Sequence, residues 1–343
     1  MIPAARILIV LHGAIGDVVR ALPLLMRLRA GYPRARITWA VEPIAAPLLF
    51  GHPALDATIM FDRPRGAPAF LRFLRAVRGL RADVVLDLQR HLKSGIVSRV
   101  SGAPVRIGFH RRNTKEGNWL FNNRYLPGLD PFGLKLQQYL AFADYLGVPQ
   151  TPICFGLAPN DDDRTRCDRL LGDHRGRLAA VCVGSTWTSR LWFPDRNAEV
   201  VRGLRARGLD PVLIGAPSER PLADATLGHL DVPALNLVGR TRLRDLVAIF
   251  ERSAVVIAPD SGPMHIAAAM GCRVVSLWGA TSPKRSAPWG SQNLVVQGLA
   301  ECVPCYKRQC PIGQLCMQSI SAAAVLERVD AALAESPQDG SKM

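Results

Sequence analysis

Short, unbroken apolar runs alternate with segments of helical periodicity along the chain, and the whole alternation occurs twice. Residues 7–11 form a β-branched and leucine run, short enough for a strand buried on both faces. Gly13, Ala14, Ile15 and Gly16 make a turn, and residues 17–28 carry apolar side chains at helical spacing. Residues 36–41 predict a second strand, 70–80 a basic amphipathic helix and 83–88 another strand, with a further helix beginning near Lys93. Strands alternating with helices predict a parallel sheet with helices on both faces. Residues 149–163, rich in Pro, Gly and Asp, interrupt the pattern and read as a linker. Beyond them the alternation restarts, with strands at 178–183, 211–214, 254–258 and 274–278 and helices at 194–207, 243–251 and 264–270.

At 343 residues the chain exceeds the roughly 250–300 over which a single core grows. The expected class is therefore α/β, with two doubly wound domains facing a cleft. They divide into residues 1–160 and residues 161–343, the second ending in a C-terminal helix. Residues from about Glu335 onward read as a frayed tail.

The net charge of +15 is unevenly placed. Residues 1–160 hold 21 Lys/Arg against 9 Asp/Glu, a net of +12, whereas residues 161–343 hold 22 against 19, a net of +3. The basic half favours an anionic partner: nucleic acid, an acidic lipid headgroup or a phosphorylated substrate. Most of the cations are Arg, whose planar fork suits bidentate contact with phosphate and carboxylate; a bias in genomic base composition would give the same excess without any function. No stretch reaches the ~18 apolar residues of a membrane span. The run at 7–11 is too short for a signal peptide and leads into His12 and Asp17 with no small-residue cleavage site. Eight Cys in a chain of this length, four of them scattered, do not make a secreted disulfide framework. A cytoplasmic location fits these features.

Three strand-to-helix junctions carry chemistry-bearing residues, and doubly wound sheets bind ligands outside the C-terminal ends of their strands. At the first, the turn from His12 to Asp17, the Asp is either the N-cap of the next helix or a general base. Neither the Gly-x-Gly-x-x-Gly dinucleotide fingerprint nor a P-loop is present. At the second, residues 183–194, backbone N–H groups with Ser185, Thr186 and Arg190 suit a diphosphate, and Pro194 suits a first helical turn. A plain polar loop is the alternative. At the third, Asp260, Ser261 and Gly262 place a carboxylate, a hydroxyl and bare backbone at a helix start. The alternative is another cap, with Pro263 in the first turn and His265 a buried imidazole. Cys302, Cys305, Cys310 and Cys316 are a weak metal candidate, for zinc or an iron–sulfur cluster. The first C-x₂-C pair is not followed by a second at ribbon-like distance, so structural thiols are the main reading and no metal is expected.

Gly16-Asp17 followed by Ala21-Leu22-Pro23, the Ser-Arg-Leu-Trp-Phe-Pro segment at 189–194 and the Asp-Ser-Gly-Pro-Met-His motif at 260–265 occur in one order. With the stretches at 87–94, 108–119 and 302–311, they resemble the bacterial ADP-heptose lipopolysaccharide heptosyltransferases, glycosyltransferase family 9. The resemblance runs from about Ile7 to about Ala332. It implies a GT-B fold of two Rossmann-like domains, acceptor on the first and nucleotide sugar on the second, with inversion at the anomeric carbon and neither catalytic metal nor cofactor. Asp17 matches the family's proposed base. Asp260, Ser261, Gly262 and His265 match its donor motif, and Ser185 and Thr186 its hydroxyls near the donor phosphates. Arg190 stands where the family usually has Lys, and Phe193 is an extra residue between Trp192 and Pro194. Glu219 looks like the residue that holds the donor ribose.

The partners implied are ADP-heptose and an acceptor bearing lipid A and Kdo at the inner-membrane surface, with peripheral attachment to its inner face and no nucleic acid. Such an acceptor is anionic, and the basic half offers Lys93, Arg111, Arg112 and Lys115 as contacts, a solvated basic face being the alternative. Three rivals remain at this level: a basic nucleic-acid-binding α/β protein, which lacks any recognised nucleic-acid module; an inactive GT-B protein, against which Asp17 argues; and a related enzyme using another nucleotide sugar.

Overall fold

The structure, a computed structural model, describes residues 1–62, 66–174 and 176–334; the tail reading for 335–343 lies outside them. The chain divides into two compact units, Met1–Gly156 and Leu157–Met343.

The first unit contains strands β1 (Arg6–Val10), β2 (Arg36–Val41), β3 (Ala57–Met60), β4 (Val84–Asp87), β5 (Val105–Gly108) and β6 (Arg124–Tyr125), with helices α1 (Ile15–Gly31), α2 (Gly66–Gly79), α3 (Leu92–Val100) and α4 (Lys135–Leu146). Its sheet runs β3-β2-β1-β4-β5-β6, and every neighbouring pair is parallel. The apolar run of β1 lies at the centre: Ile7 pairs with Ile37 and Val84, and Val10 with Ala40 and Asp87. Ile7 to Val10 are all buried, each side chain contributing about 1.5–3 kcal/mol.

The second unit contains β7 (Leu178–Cys182), β8 (Asp210–Ile214), β9 (Leu235–Asn236), β10 (Ser253–Pro259), β11 (Val274–Trp278) and β12 (Val295–Gln297). Its helices are α5 (Asp161–Leu171), α6 (Pro194–Ala206), α7 (Arg220–Gly228), α8 (Leu243–Glu251), α9 (Gly262–Ala269), α10 (Pro283–Ser286), α11 (Leu315–Gln318) and α12 (Ala322–Ala334). The sheet runs β12-β11-β10-β7-β8-β9, again all parallel. Counted within the unit, this is the 3-2-1-4-5-6 order of the first sheet. Each sheet therefore reverses direction once, between β1 and β4 and between β7 and β10, and ligands of such sheets bind at that reversal.

Three expectations are corrected here. The linker reading of 149–163 runs too far, because Asn160 caps α5: its Oδ1 accepts the Asp163 N–H at 2.8 Å and Asp163 Oδ2 accepts the Asn160 N–H at 3.0 Å. The three Asp residues are a helical first turn, favoured by the helix dipole. Asp17 is not an N-cap. Ala14 holds that position, and Asp17 lies inside the first turn with its N–H donating to Ala14 O at 3.0 Å. Asp260 is not a cap either, since Ser261 is the N-cap of α9.

Candidate active site

In the first unit, β1 and β4 are neighbours, so the turns leaving their C-terminal ends lie together. Gln89 fastens them: its Oε1 accepts the N–H groups of His12 at 3.0 Å and Gly13 at 3.1 Å. Asp17 follows, with 19% of its side chain exposed. Its Oδ1 accepts from Arg20 Nη2 at 2.7 Å, Lys135 Nζ at 2.7 Å and Tyr139 OH at 3.1 Å. Among the described residues no donor reaches Oδ2. Burial pushes the carboxyl up, but the charges and hydrogen bonds of Lys135 and Arg20 outweigh it and hold Asp17 well below the usual carboxylate range. Burial, followed by the Asp17 charge, pushes the Tyr139 hydroxyl up. The site thus holds an ionised carboxylate with one oxygen open, beside a neutral phenol. Lys135 and Tyr139, on the first turns of α4, carry no sequence motif and went unanticipated.

Asp87, at the end of β4, is fully buried. Its Oδ2 accepts from Asn118 Nδ2 at 2.6 Å and Asn122 Nδ2 at 3.2 Å. Burial pushes its carboxyl up, against the hydrogen bonds from Asn118, Ser94 and Asn122. This network ties residues 118–122 to the start of α3, where Asn118 Nδ2 also donates to His91 O at 2.9 Å. The four cations expected to meet the acceptor belong to this region. Lys93 is in the first turn of α3, Arg111 and Arg112 are in a 3-10 turn (Arg111–Asn113), and Lys115 follows; all four are exposed.

In the second unit the junctions after β7 and β10 converge on Asp260. Its Oδ2 accepts from Thr281 Oγ1 at 2.8 Å and faces Arg190 Nη1 at 3.3 Å. Its carbonyl accepts from Ser185 Oγ at 3.2 Å and Arg190 Nη1 at 3.1 Å. The guanidinium of Arg190 lies 3.8 Å from the Trp187 ring centroid. Asp260 therefore acts first on Arg190, fixing the cation against an aromatic face. Ser261 Oγ is buried with no hydrogen-bond partner among the described residues, and it stands at the N-terminus of α9, where N–H groups favour anions. His265 is buried in the same helix, and Thr186 is exposed. Thr281 was not anticipated; it lies in no motif.

Glu219 ends a 3-10 turn (Pro217–Glu219), its Oε2 accepting the Ala216 N–H at 2.6 Å. A Cβ added at Gly184 would fall 1.7 Å from Glu219 Cδ, and one at Gly215 would fall 2.7 Å from Oε2. Two glycines at the ends of β7 and β8 thus make the slot for this carboxylate, and burial pushes its pKa up. Gly184→Ala is expected to displace Glu219 and to weaken ADP binding as much as Glu219→Ala does. Losing one charged hydrogen bond costs about 1.5–3 kcal/mol, or roughly tenfold and more in affinity. Calorimetry that finds wild-type ADP affinity in Gly184→Ala would count against the expected donor role of Glu219.

Cys302, Cys305, Cys310 and Cys316 are free thiols, and no three His, Cys, Asp or Glu side chains among the described residues are arranged to hold a metal ion. Cys316 is buried in the core, where burial and then the nearby Cys302, Cys310 and Cys305 push its thiol up, and Cys310 Sγ accepts the Gln314 N–H at 3.2 Å. Their segment also braces the loop carrying Arg190. Ser189 Oγ donates to Lys307 O at 2.6 Å, Ser189 N to Arg308 O at 3.1 Å, and Gln314 Nε2 to Leu191 O at 3.3 Å.

Two parallel sheets of one strand order, in a two-domain α/β chain, are the architecture of the GT-B fold, which by itself names no activity. Solved structures agree on the fold. The chain is similar to a glycosyl transferase family 9 protein from Veillonella parvula, with TM-score 0.82 and 20% identity, covering 97% of this chain and 98% of that one. It is similar to Escherichia coli heptosyltransferase WaaC with ADP, with TM-score 0.75 and 22% identity, covering 95% and 99%. The model of glycosyltransferase family 9 (heptosyltransferase) matches residues 70–316, and the chain belongs to that family. Curated relatives include the lipopolysaccharide core heptosyltransferase OpsX of Haemophilus influenzae, 29% identical over 286 residues, covering 82% of this chain and 81% of that protein. Another is lipopolysaccharide heptosyltransferase 1 of Pseudomonas aeruginosa, 25% identical over 320 residues, covering 89% and 87%. The protein is thus a glycosyltransferase of the lipopolysaccharide heptosyltransferase family. No helix of the described residues is long and apolar enough to cross a membrane.

Proposed function

We propose that this protein transfers heptose from ADP-heptose, with inversion, to a hydroxyl in the Kdo/heptose region of a lipid A-linked acceptor. The observation that carries the reading is Asp17, partly exposed and bound through Oδ1 by Arg20, Lys135 and Tyr139, at the strand-order reversal of the basic unit. Asp17 Oδ2 accepts the acceptor hydroxyl's proton as that oxygen attacks the anomeric carbon. The bond from that carbon to the nucleotide breaks, and its electron pair leaves on the β-phosphate oxygen of ADP. Arg190, Ser261 and the N–H groups starting α9 stabilise the departing charge. Ser185, Thr186, Gly262 and His265 complete the donor site, and Glu219 takes the ribose hydroxyls. ADP and ADP-2-deoxy-2-fluoro heptose in the WaaC structures support this choice of donor. At rest Lys135 and Arg20 make Asp17 a weak base. An anionic acceptor competes for those cations as it docks and strengthens the base when it is needed.

Lys93, Arg111, Arg112 and Lys115 meet the acceptor's phosphates and carboxylates. Arg111→Ala combined with Arg112→Ala is expected to raise the acceptor KM about tenfold at unchanged donor KM, a discounted fraction of the ~1.5–3 kcal/mol per charged hydrogen bond. Steady-state kinetics at two salt concentrations check this, and an unaltered acceptor KM returns both to a solvated face. Trp119 and Leu120, exposed four and five positions after Lys115, support attachment of this unit to an anionic membrane face. The donor assignment is tested by thermal shift: ADP raises the unfolding midpoint, whereas UDP and NAD do not. No shift with ADP would sink it.

A further inference from the structure

Arg90 has φ 70°, the left-handed region that glycine enters freely and other residues avoid. A residue strained in this way persists only where its surroundings hold it, and such residues gather at functional sites. Its guanidinium carbon lies 3.7 Å from the Phe109 ring centroid, a cation–π contact. Phe109 in turn packs edge-on against Phe142 of α4, centroids 5.0 Å apart. Arg90 Nη2 donates to Gln138 Oε1 at 2.6 Å, and the Arg90 carbonyl accepts the Lys115 N–H at 2.9 Å. Gln138 lies on α4 between Lys135 and Tyr139, the two residues that hold Asp17 Oδ1. It also anchors the approach to that helix, Nε2 donating to Asp130 O at 2.7 Å and Gly133 O at 3.1 Å.

We propose that Arg90 is a positioning residue for the transfer reaction. Through Gln138 it fixes the start of α4, and so Lys135 and Tyr139 against Asp17. Through its carbonyl it fixes the cationic loop at Lys115. One strained residue thereby holds the base cluster and the acceptor-facing loop in a single frame, the left-handed turn sending side chain and carbonyl to different elements. The inference rests on the reading of Asp17 as base.

Arg90→Gly is the direct test, because glycine accepts the backbone angle, keeps the carbonyl and removes the guanidinium. The expected result is a kcat about tenfold or more below wild type, as small misplacements in an active site produce. ADP affinity stays unchanged and the unfolding midpoint does not fall. Arg90→Lys, which keeps the charge without the fork, recovers only part of the loss. If Arg90 acts through α4, its effect does not add to that of Lys135→Met, and the double variant is about as slow as the slower single one. Wild-type kcat in Arg90→Gly overturns the proposal, as do additive effects, or a loss of activity that tracks a loss of midpoint. Asp17→Asn measured in parallel separates the two ideas. Turnover in that variant removes the base reading, whereas an inactive Asp17→Asn beside a fully active Arg90→Gly removes only the role of Arg90.

Discussion

Asp17→Asn is expected to lower turnover about 10²–10⁴-fold, the usual cost of losing general base catalysis, while ADP binds as in the wild type. The amide is nearly isosteric. Its oxygen still accepts from Arg20, Lys135 and Tyr139 at the Oδ1 position, which leaves an NH₂ group where Oδ2 was, and that group cannot take a proton. The substitution also removes the carboxylate charge that faces Arg20 and Lys135, so stability falls at neutral pH. The sign can be followed with pH. A carboxyl whose folded pKa is depressed stabilises the fold above its unfolded value, about 3.9, and that contribution is lost as pH falls toward the folded value. The gap in unfolding midpoint between wild type and variant should therefore begin to narrow below about pH 4 and keep narrowing as the pH falls further. Wild-type turnover in Asp17→Asn would remove the base assignment.

Asp260→Ala should weaken ADP binding by about 1.5–3 kcal/mol, tenfold to somewhat over a hundredfold. The loss comes through Arg190. Asp260 contributes Oδ2 and its carbonyl to the fixing of that guanidinium; the variant keeps the carbonyl and loses the counter-charge, so Arg190 no longer waits in place for a diphosphate. Stability should drop as well, because the side chain of Arg190 is only 16% exposed and Thr281 loses its acceptor. Asp260→Asn can keep the Thr281 bond and should fall between the two. Calorimetry on folded Asp260→Ala decides: unchanged ADP affinity would place the donor elsewhere.

The strands that sequence made legible, β1, β2, β4, β7, β8, β10 and β11, lie inside their sheets. The runs in β1, β4, β7, β10 and β11 are apolar on both faces, so period and composition point the same way. The edge strands β6 and β9 are two residues long and β12 three, too short to show any period. The proposed base was legible as a residue but not as an environment. Asp17 is held by partners 118 and 122 positions away, and nothing local to Lys135 or Tyr139 marks them. The same holds for Thr281 and for the glycine slot around Glu219, which exist only once β8, β7, β10 and β11 lie side by side. The two capping readings failed for a narrower reason: a helix start displaced by a few residues changes which side chain is the cap.

Both sheets share one strand order, and each reverses direction at its own point. On the proposed assignment, the residues that choose the acceptor and those that choose the nucleotide sugar belong to different compact units. A change in one set need not be compensated in the other. Divergence can then proceed by halves, one lineage altering the sugar it carries while another alters the surface it decorates. The junction at Gly156 and Leu157 is the natural seam for building hybrids of two such enzymes.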